Sequence, residues 1–223
     1  MTDLADPTDF RFYKARYHSE LTGKKAKDIH EFLAVIKEID ESAIFDHIYH
    51  ALLDYHFLPL EYPNDFAYWI ADVLHEPALA ERLANLDLRR LHNLEMVRQE
   101  IIRVIEDYLV THNEVSSKAG PGQEFYFIRC ISVIFPTRYV ASNIKEMLVI
   151  LKEIDLETIF YYFIASRLLD GEHYKKWSDW LFENDSHELM EKLNNLYPYG
   201  FASMEAMRTE IVRMVEEYLW EHL

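Results

Sequence analysis

The chain has 223 residues, 50% of them hydrophobic and 28% charged, with a formal net charge of −16 at pH 7. That charge opposes binding to nucleic acid and to anionic membranes, because both need a basic protein surface. No apolar stretch approaches the roughly 20 residues of a membrane-spanning helix. A single cysteine excludes an internal disulfide, which favours a cytoplasmic location. Five glycines and seven prolines are few, so the composition favours long helices over a turn-rich β sandwich.

Part of the sequence recurs in the same order. Residues 28–48 match residues 143–163 at 9 of 21 positions, and residues 93–109 match residues 203–219 at 8 of 17. Unrelated segments match at far fewer positions, so the sequence predicts an internal tandem duplication.

The predicted copies cover residues 9–112 and 124–223. Between them, residues 113–123 hold two of the five glycines and few side chains suited to a core. Such a composition is typical of a linker. The sequence therefore predicts two domains, helical repeat 1 and helical repeat 2, joined by this segment.

Each predicted copy begins with two phenylalanines separated by one residue, at Phe10 and Phe12 and at Phe125 and Phe127. This alternation predicts a short extended segment before the helices. About five helices are then predicted in each copy, from capping residues and from apolar residues at helical spacing. The residues predicted to start them are Asp28, Asp40, Asn64, Pro77 and Asn93 in the first copy, and Asn143, Asp155 and Ser203 in the second. The predicted fold class is therefore all-α, with two tandem, structurally similar domains.

One helical face of the first copy carries candidate metal ligands. His47, His50 and Asp54 lie at positions i, i+3 and i+7, so they share a face, and zinc or iron sites use such side chains. The second copy has Tyr162 in place of His47 and Ala165 in place of His50. A helical pair also needs ligands from elsewhere, and the sequence identifies none. We therefore expect no metal and no other cofactor.

Other catalytic signatures are weaker still. Cys130 stands where the first copy has Ala15, which favours a small core position over a nucleophile. The sequence has no Gly-x-Ser-x-Gly elbow, no glycine-rich phosphate loop and no His-Glu-x-x-His motif. The catalytic residues are unknown at this point, and the sequence favours a non-enzymatic protein without excluding an enzyme.

Aromatic residues are abundant, with 15 Tyr, 13 Phe and 4 Trp. Phe66 and Trp69 in the first copy match Trp177 and Trp180 in the second at helical spacing, which favours core positions over a stacking surface for a ligand.

The second predicted helix is more apolar in the second copy. We expect Tyr161, Tyr162 and Ala165 to be more buried than Asp46, His47 and His50, covered by the other copy or by a second chain. These three residues are therefore the predicted interaction residues.

The order of these motifs resembles a bacterial family of helical domains with unknown function. The likeness rests on Phe-x-Phe, on the Thr-Gly-Lys-x-Ala pattern at Thr22–Ala26 and on the Asn-Asp-Phe-x-x-Trp pattern at Asn64–Trp69. It covers nearly the whole chain, once per predicted copy, although the second copy departs from the Thr-Gly-Lys pattern at Pro136–Ala141. The resemblance carries over no catalytic residue. It implies only that the protein can accompany a sugar-transferring enzyme.

Three functional interpretations stay open. The leading one is a non-enzymatic helical scaffold or protein-interaction module, with a protein partner or self-association, because duplication comes without a catalytic signature. The second is a binding protein for a carbohydrate-like small molecule with a pocket between the repeats, which an aromatic-lined cleft with polar groups would favour. The third is a metal-dependent enzyme that uses the His47/His50 face. Neither nucleic acid nor a membrane is an expected partner.

Overall fold

Two long strands pair with each other, and helices follow each of them. The computed structural model describes residues 9–50, 62–88, 91, 93–112 and 115–222. The strands β1 (Phe10–Ala26) and β2 (Phe125–Ala141) have 17 residues each and form a two-stranded antiparallel sheet. The prediction of an all-α fold is wrong, because this sheet is far longer than the short extended segment expected at each Phe-x-Phe.

The side-chain pattern of the sequence does not predict the full length of β1. Phe10, Phe12 and Ala15 are buried, whereas none of residues 16–25 is buried. A strand that is solvated on both faces shows no alternation of apolar and polar residues, so the sequence pattern ends soon after Phe12. Main-chain hydrogen bonds to β2 extend the strand beyond that point, and they have no signature in the side chains.

The chain forms two compact units, and the boundary between them falls within both strands. The central unit is Tyr17–Ile131, and the terminal unit combines Met1–Arg16 with Ser132–Leu223. Each strand thus gives its first part to one unit and its second part to the other. The prediction of two tandem helical domains is therefore wrong, since neither unit coincides with residues 9–112 or with residues 124–223.

In the central unit, helices begin at the predicted caps. Asp28 Oδ1 accepts a hydrogen bond from Glu31 N (2.9 Å), and Asn64 Oδ1 accepts one from Ala67 N (2.9 Å). The Glu31 carboxylate reaches Lys27 N (3.1 Å), one residue before the partner expected in a capping box. The helices are α1 (Ile29–Ile36), α2 (Glu41–Phe45) with a π-helical continuation (Asp46–His50), α3 (Asp65–Asp72), α4 (Pro77–Ala84) and α5 (Leu94–Thr111).

In the terminal unit, the same order of helices follows β2. Asn143 Oδ1 accepts from Glu146 N (3.0 Å), and Ser203 Oγ accepts from Ala206 N (3.1 Å), as their predicted capping roles require. The elements are α6 (Ile144–Glu153), α7 (Leu156–Phe160) with a π-helical continuation (Tyr161–Asp170), α8 (Glu172–Glu183), α9 (His187–Asn194), a 3₁₀ turn (Pro198–Gly200) and α10 (Met204–Glu221).

The segment predicted as a linker is bound to the central unit where it is described, at residues 115–123. Ala119 N donates to Lys27 O over 2.7 Å, and Gln123 O accepts from the Trp69 indole N–H over 2.8 Å. These hydrogen bonds fix the path of the chain into β2.

Aromatic rings fill the core of the central unit. The Phe32 ring lies 5.2 Å from Phe66 and 5.6 Å from Trp69, centroid to centroid. It also lies 5.4 Å from both Phe125 and Phe127, the first buried residues of β2. The Phe-x-Phe of β2 therefore completes the core around α1 and α3, at spacings typical of favourable aromatic pairs.

The core of the terminal unit contains the other Phe-x-Phe. Phe10 lies 5.2 Å from Trp177 and 5.4 Å from Trp180, and Phe12 lies 5.5 Å from Tyr162. Trp177 and Trp180 are 2% and 4% exposed, which confirms their predicted core positions. None of the described helices is long and apolar enough to cross a membrane.

Candidate functional site

A cleft with a volume of about 340 Å³ lies in the terminal unit, where the start of β1 meets α8. This volume is at the small end of the range for ligand pockets, about 300–1,000 Å³. The lining combines aromatic rings with charged and polar side chains: Asp9, Phe10, Arg11, Tyr13, Tyr162, His173, Lys176, Asp179, Trp180 and Glu183.

One hydrogen bond sets the strand wall of the cleft. Tyr13 N donates to the Tyr162 hydroxyl over 2.9 Å, which holds β1 against the π-helical segment. Phe10 and Phe12 point into the core, so strand alternation turns Arg11 and Tyr13 away from it, and both are half-buried. The wall therefore presents a guanidinium and a phenol to the cleft.

The helix wall supplies an imidazole beside that phenol. The His173 and Tyr13 rings are 4.5 Å apart, centroid to centroid, with 55° between their planes. Trp180, whose ring centroid lies 5.4 Å from that of Phe10, also lines the cleft. A planar ligand face or a sugar ring can pack against such rings.

Charged groups on α8 are held in ion pairs. Lys176 Nζ lies 2.7 Å from Glu172, and Asp179 lies 2.6 Å from Lys175 Nζ. These i, i+4 pairs are exposed, so they fix the side chains only weakly and leave them able to meet a ligand.

The strand-side charges are also hydrogen-bonded. Arg11 Nη1 donates to Thr137 O (3.2 Å), and Asp9 Oδ1 accepts from Ser142 Oγ (2.5 Å). The cleft thus places oriented donors and acceptors around an aromatic floor.

The predicted interaction residues lie inside the terminal unit. Tyr161 and Tyr162 are each 2% exposed and Ala165 is 1% exposed. Tyr162 packs against Phe10 and Phe12 of β1. The chain itself therefore covers this face, and of the three only Tyr162 also lines the cleft.

The histidine face predicted as a metal candidate is used differently in the central unit. His47 is 2% exposed, its Nε2 accepts from Ile128 N (3.0 Å) and its Nδ1 lies 2.9 Å from the Asp65 carboxylate. Both ring nitrogens are engaged, so a metal would have to displace one of these hydrogen bonds. The His50 side chain and Asp54 lie outside the described residues.

Cys130 has the environment of a structural cysteine. It is buried in β2, and burial raises the pKa of its thiol to about 12, with the negative charge of buried Asp46 adding to the effect. A thiol is nucleophilic only as the thiolate, so this raised pKa and the burial of Cys130 disfavour a role as a nucleophile.

Sequence reasoning missed the cleft residues Tyr13, Arg11 and His173. The first two had a usable signal, because the alternation at Phe10 and Phe12 places their neighbours on the opposite face of the strand. His173 had none, since its approach to Tyr13 joins positions 160 residues apart in the chain.

Residues 7–216 match a family described as a family of unknown function, DUF5752. The chain belongs to the DUF5752 family. One match spans both predicted copies, so the unit of DUF5752 is nearly the whole chain and not a single copy. The match establishes neither a bacterial origin nor a duplication.

A solved structure resembles this DUF5752 protein over nearly its full length. OrfY from Thermoproteus tenax superposes with a TM-score of 0.81 at 26% sequence identity, covering 94% of each chain. The two proteins therefore share a fold. No curated protein matches the sequence.

Proposed function

We propose that this DUF5752 protein is a non-enzymatic binding protein for a carbohydrate-like small molecule. The observation that supports it is the cleft of the terminal unit, where Tyr13, His173 and Trp180 surround polar groups fixed by hydrogen bonds. An aromatic-lined concavity with a few oriented polar groups is the common form of a small-molecule site. The lining combines residues from the two sequence segments of the terminal unit, since Tyr13 lies in β1 and His173 in α8.

The polar groups of the two units support binding more than catalysis. The histidine and cysteine that the sequence offered as reactive groups have structural roles, since His47 holds β2 and Cys130 lies in the core. In the cleft, Lys176 and Asp179 each have an ion-pair partner. Such groups can orient a ligand through hydrogen bonds.

Thermal unfolding of the full chain tests this proposal with a panel of neutral sugars, sugar phosphates, nucleosides and amino acids. A ligand at about 100 times its Kd stabilises the folded state by about 2.7 kcal/mol. For a chain of this length that raises Tm by about 5–10 °C. We expect at least one sugar-class compound to give such a shift.

Two variants locate the site. Tyr13→Ala removes the half-buried phenol beside His173 and should abolish the shift. Tyr68→Ala is the matched control, because Tyr68 is 55% exposed on α3 of the central unit, and it should leave the shift unchanged. A panel without any shift, or shifts that persist in Tyr13→Ala, contradicts the proposal.

A protein-interaction module is the second candidate, and exposed apolar side chains favour it. Trp220 on α10 is 87% exposed and Val110 on α5 is 75% exposed. Large exposed aromatic residues are enriched at protein contacts. The family resemblance implies a sugar-acting enzyme as the partner, and self-association is the alternative. Sedimentation velocity of the wild type and of Trp220→Ser tests self-association, because a concentration-dependent dimer should disappear in the variant.

A further inference from the structure

We propose that the cleft of the terminal unit selects an uncharged polyhydroxylated ligand, a neutral mono- or disaccharide, over phosphorylated sugars. This inference rests on the proposed binding function and adds the charge class of the ligand. It follows from the balance of charges, the arrangement of donors and acceptors, and the size of the cleft.

The charges that line the cleft nearly cancel. Three carboxylates, Asp9, Asp179 and Glu183, face two permanent cations, Arg11 and Lys176. The small negative excess, within a chain of formal net charge −16, opposes an anionic group such as a phosphate. Phosphate sites in proteins instead gather several cations or helix N-terminal amides on one group.

Neutral hydroxyl groups suit this lining, because each hydroxyl both donates and accepts a hydrogen bond. The carboxylates of Asp9, Asp179 and Glu183 accept, and the guanidinium of Arg11 and the ammonium of Lys176 donate. Neighbouring hydroxyls on a sugar ring can bridge such donor and acceptor pairs without changing the net charge of the site. The C–H face of the sugar ring then packs on Tyr13, which lines the same space.

The size of the cleft limits the ligand further. A volume of about 340 Å³ accommodates one or two sugar rings and is too small for a long oligosaccharide to be enclosed.

Saturation-transfer NMR and calorimetry on the full chain test the charge class, with glucose, maltose and glucose 6-phosphate as probes. We expect saturation transfer to glucose or maltose, and at least tenfold weaker binding of glucose 6-phosphate. Asp179→Asn removes the charge of an exposed acceptor with little effect on folding, and it should weaken maltose binding about tenfold. Asp107→Asn is the matched control, because Asp107 forms the same kind of exposed i, i+4 ion pair with Arg103 on α5 (2.8 Å), outside the cleft.

The outcomes separate this inference from the proposed function. If glucose 6-phosphate binds as well as the neutral sugars, and Tyr13→Ala abolishes that binding, the neutral class is wrong and the binding function stands. If no probe of this set or of the wider panel binds, or if binding is unchanged in Tyr13→Ala, both are wrong. Equal maltose affinity in Asp179→Asn and Asp107→Asn also overturns the inference, because the negative charge of the Asp179 acceptor then contributes nothing to binding.

Discussion

The two units hold their strands with the same hydrogen bond but with different side chains. In the central unit, His47 Nε2 accepts from Ile128 N over 3.0 Å. In the terminal unit, the Tyr162 hydroxyl accepts from Tyr13 N over 2.9 Å. Both acceptors lie in π-helical segments that continue a short α-helix, and such segments often occur where a side chain must be placed accurately.

The two acceptors differ in whether they need a hydrogen-bond partner on the helix that follows. A neutral histidine accepts at Nε2 only when its proton is on Nδ1, and the Asp65 carboxylate 2.9 Å from Nδ1 favours that tautomer. A tyrosine hydroxyl accepts without such help. On α8, Lys176 precedes Trp177 as Asp65 precedes Phe66 on α3, and Lys176 lines the cleft. His47 thus needs Asp65 as a second partner. Tyr162 needs none, so the corresponding residue on α8, Lys176, can line the cleft.

The largest expected effect comes from removing these acceptors. His47→Phe keeps an aromatic ring among the aromatic neighbours Phe66 and Phe125 but leaves Ile128 N without its acceptor. An unsatisfied amide costs about 1–3 kcal/mol, which lowers Tm by about 2–12 °C for a chain of this length. Tyr162→Phe removes the matching acceptor and should cost a similar amount. Urea or thermal unfolding measures both.

Asp65→Asn separates the two hydrogen bonds of His47. Its carboxylate is 51% exposed, so the direct loss is small, and the amide oxygen can still accept from Nδ1. We expect Asp65→Asn to cost less than half of what His47→Phe costs. If His47→Phe leaves the stability unchanged, the strand does not depend on this acceptor and the comparison between the units fails.

An intermediate effect on stability is expected after a threonine that occurs in both strands and donates a hydrogen bond to the opposite strand. Thr22 Oγ1 donates to Phe127 O (2.8 Å) in the central unit, and Thr137 Oγ1 donates to Phe12 O (2.9 Å) in the terminal unit. The residue that follows differs, because Gly23 has a φ of 77°, whereas Arg138 is not among the described residues with positive φ.

Gly23→Ala should therefore destabilise the protein by about 1–2 kcal/mol, the cost of a left-handed conformation for an L-residue. No atom lies within 4 Å of the added Cβ, so the cost is purely conformational. Arg138→Ala is the control and should have little effect. Gly23→Asn should recover part of the loss, since Asn tolerates positive φ. Equal stability of the wild type and Gly23→Ala in thermal unfolding would contradict the assignment.

The smallest effect is expected at the cysteine that distinguishes β2 from β1, which has Ala15. The pKa of Cys130 is raised to about 12 in the folded chain, whereas an unfolded thiol titrates near 9. Its contribution to stability is therefore complete below pH 9 and is lost as the pH rises towards 12. Cys130→Ala should show a shallower loss of stability between pH 9 and 10.5 than the wild type.

The pKa of Tyr108 is also raised to about 12, first by burial and then by Glu76, so Tyr108 affects stability in the same pH range. The quantity to measure is therefore the difference in stability between the wild type and Cys130→Ala. In native protein at pH 7.5, a thiol reagent should label Cys130 only at the rate of unfolding. Rapid labelling would show that the site is open.

The sequence predicted the helices better than the strands, for a physical reason. Helix starts depend on local contacts, such as Asn93 accepting from Met96 N (2.8 Å), and these can be recognised within four residues. The strands depend on pairing between positions more than 100 residues apart, such as Thr22 with Phe127. The sequence shows that Tyr162 stands where the first predicted copy has His47. It does not show that both side chains accept a hydrogen bond from a strand, because the donor in each case is a main-chain amide. The cleft required that same long-range pairing.

The boundary that falls within both strands also affects how the chain is made. The central unit is continuous in sequence, so all of it has been synthesised once Ile131 is added. The terminal unit needs Phe10 and Phe12 together with α10, which ends at Glu221. At about 5–20 residues per second, roughly 10–40 s separate the synthesis of Phe10 from that of the end of α10. During that interval Phe10 and Phe12 have no core to pack into, and a chaperone that binds these side chains would act within this period.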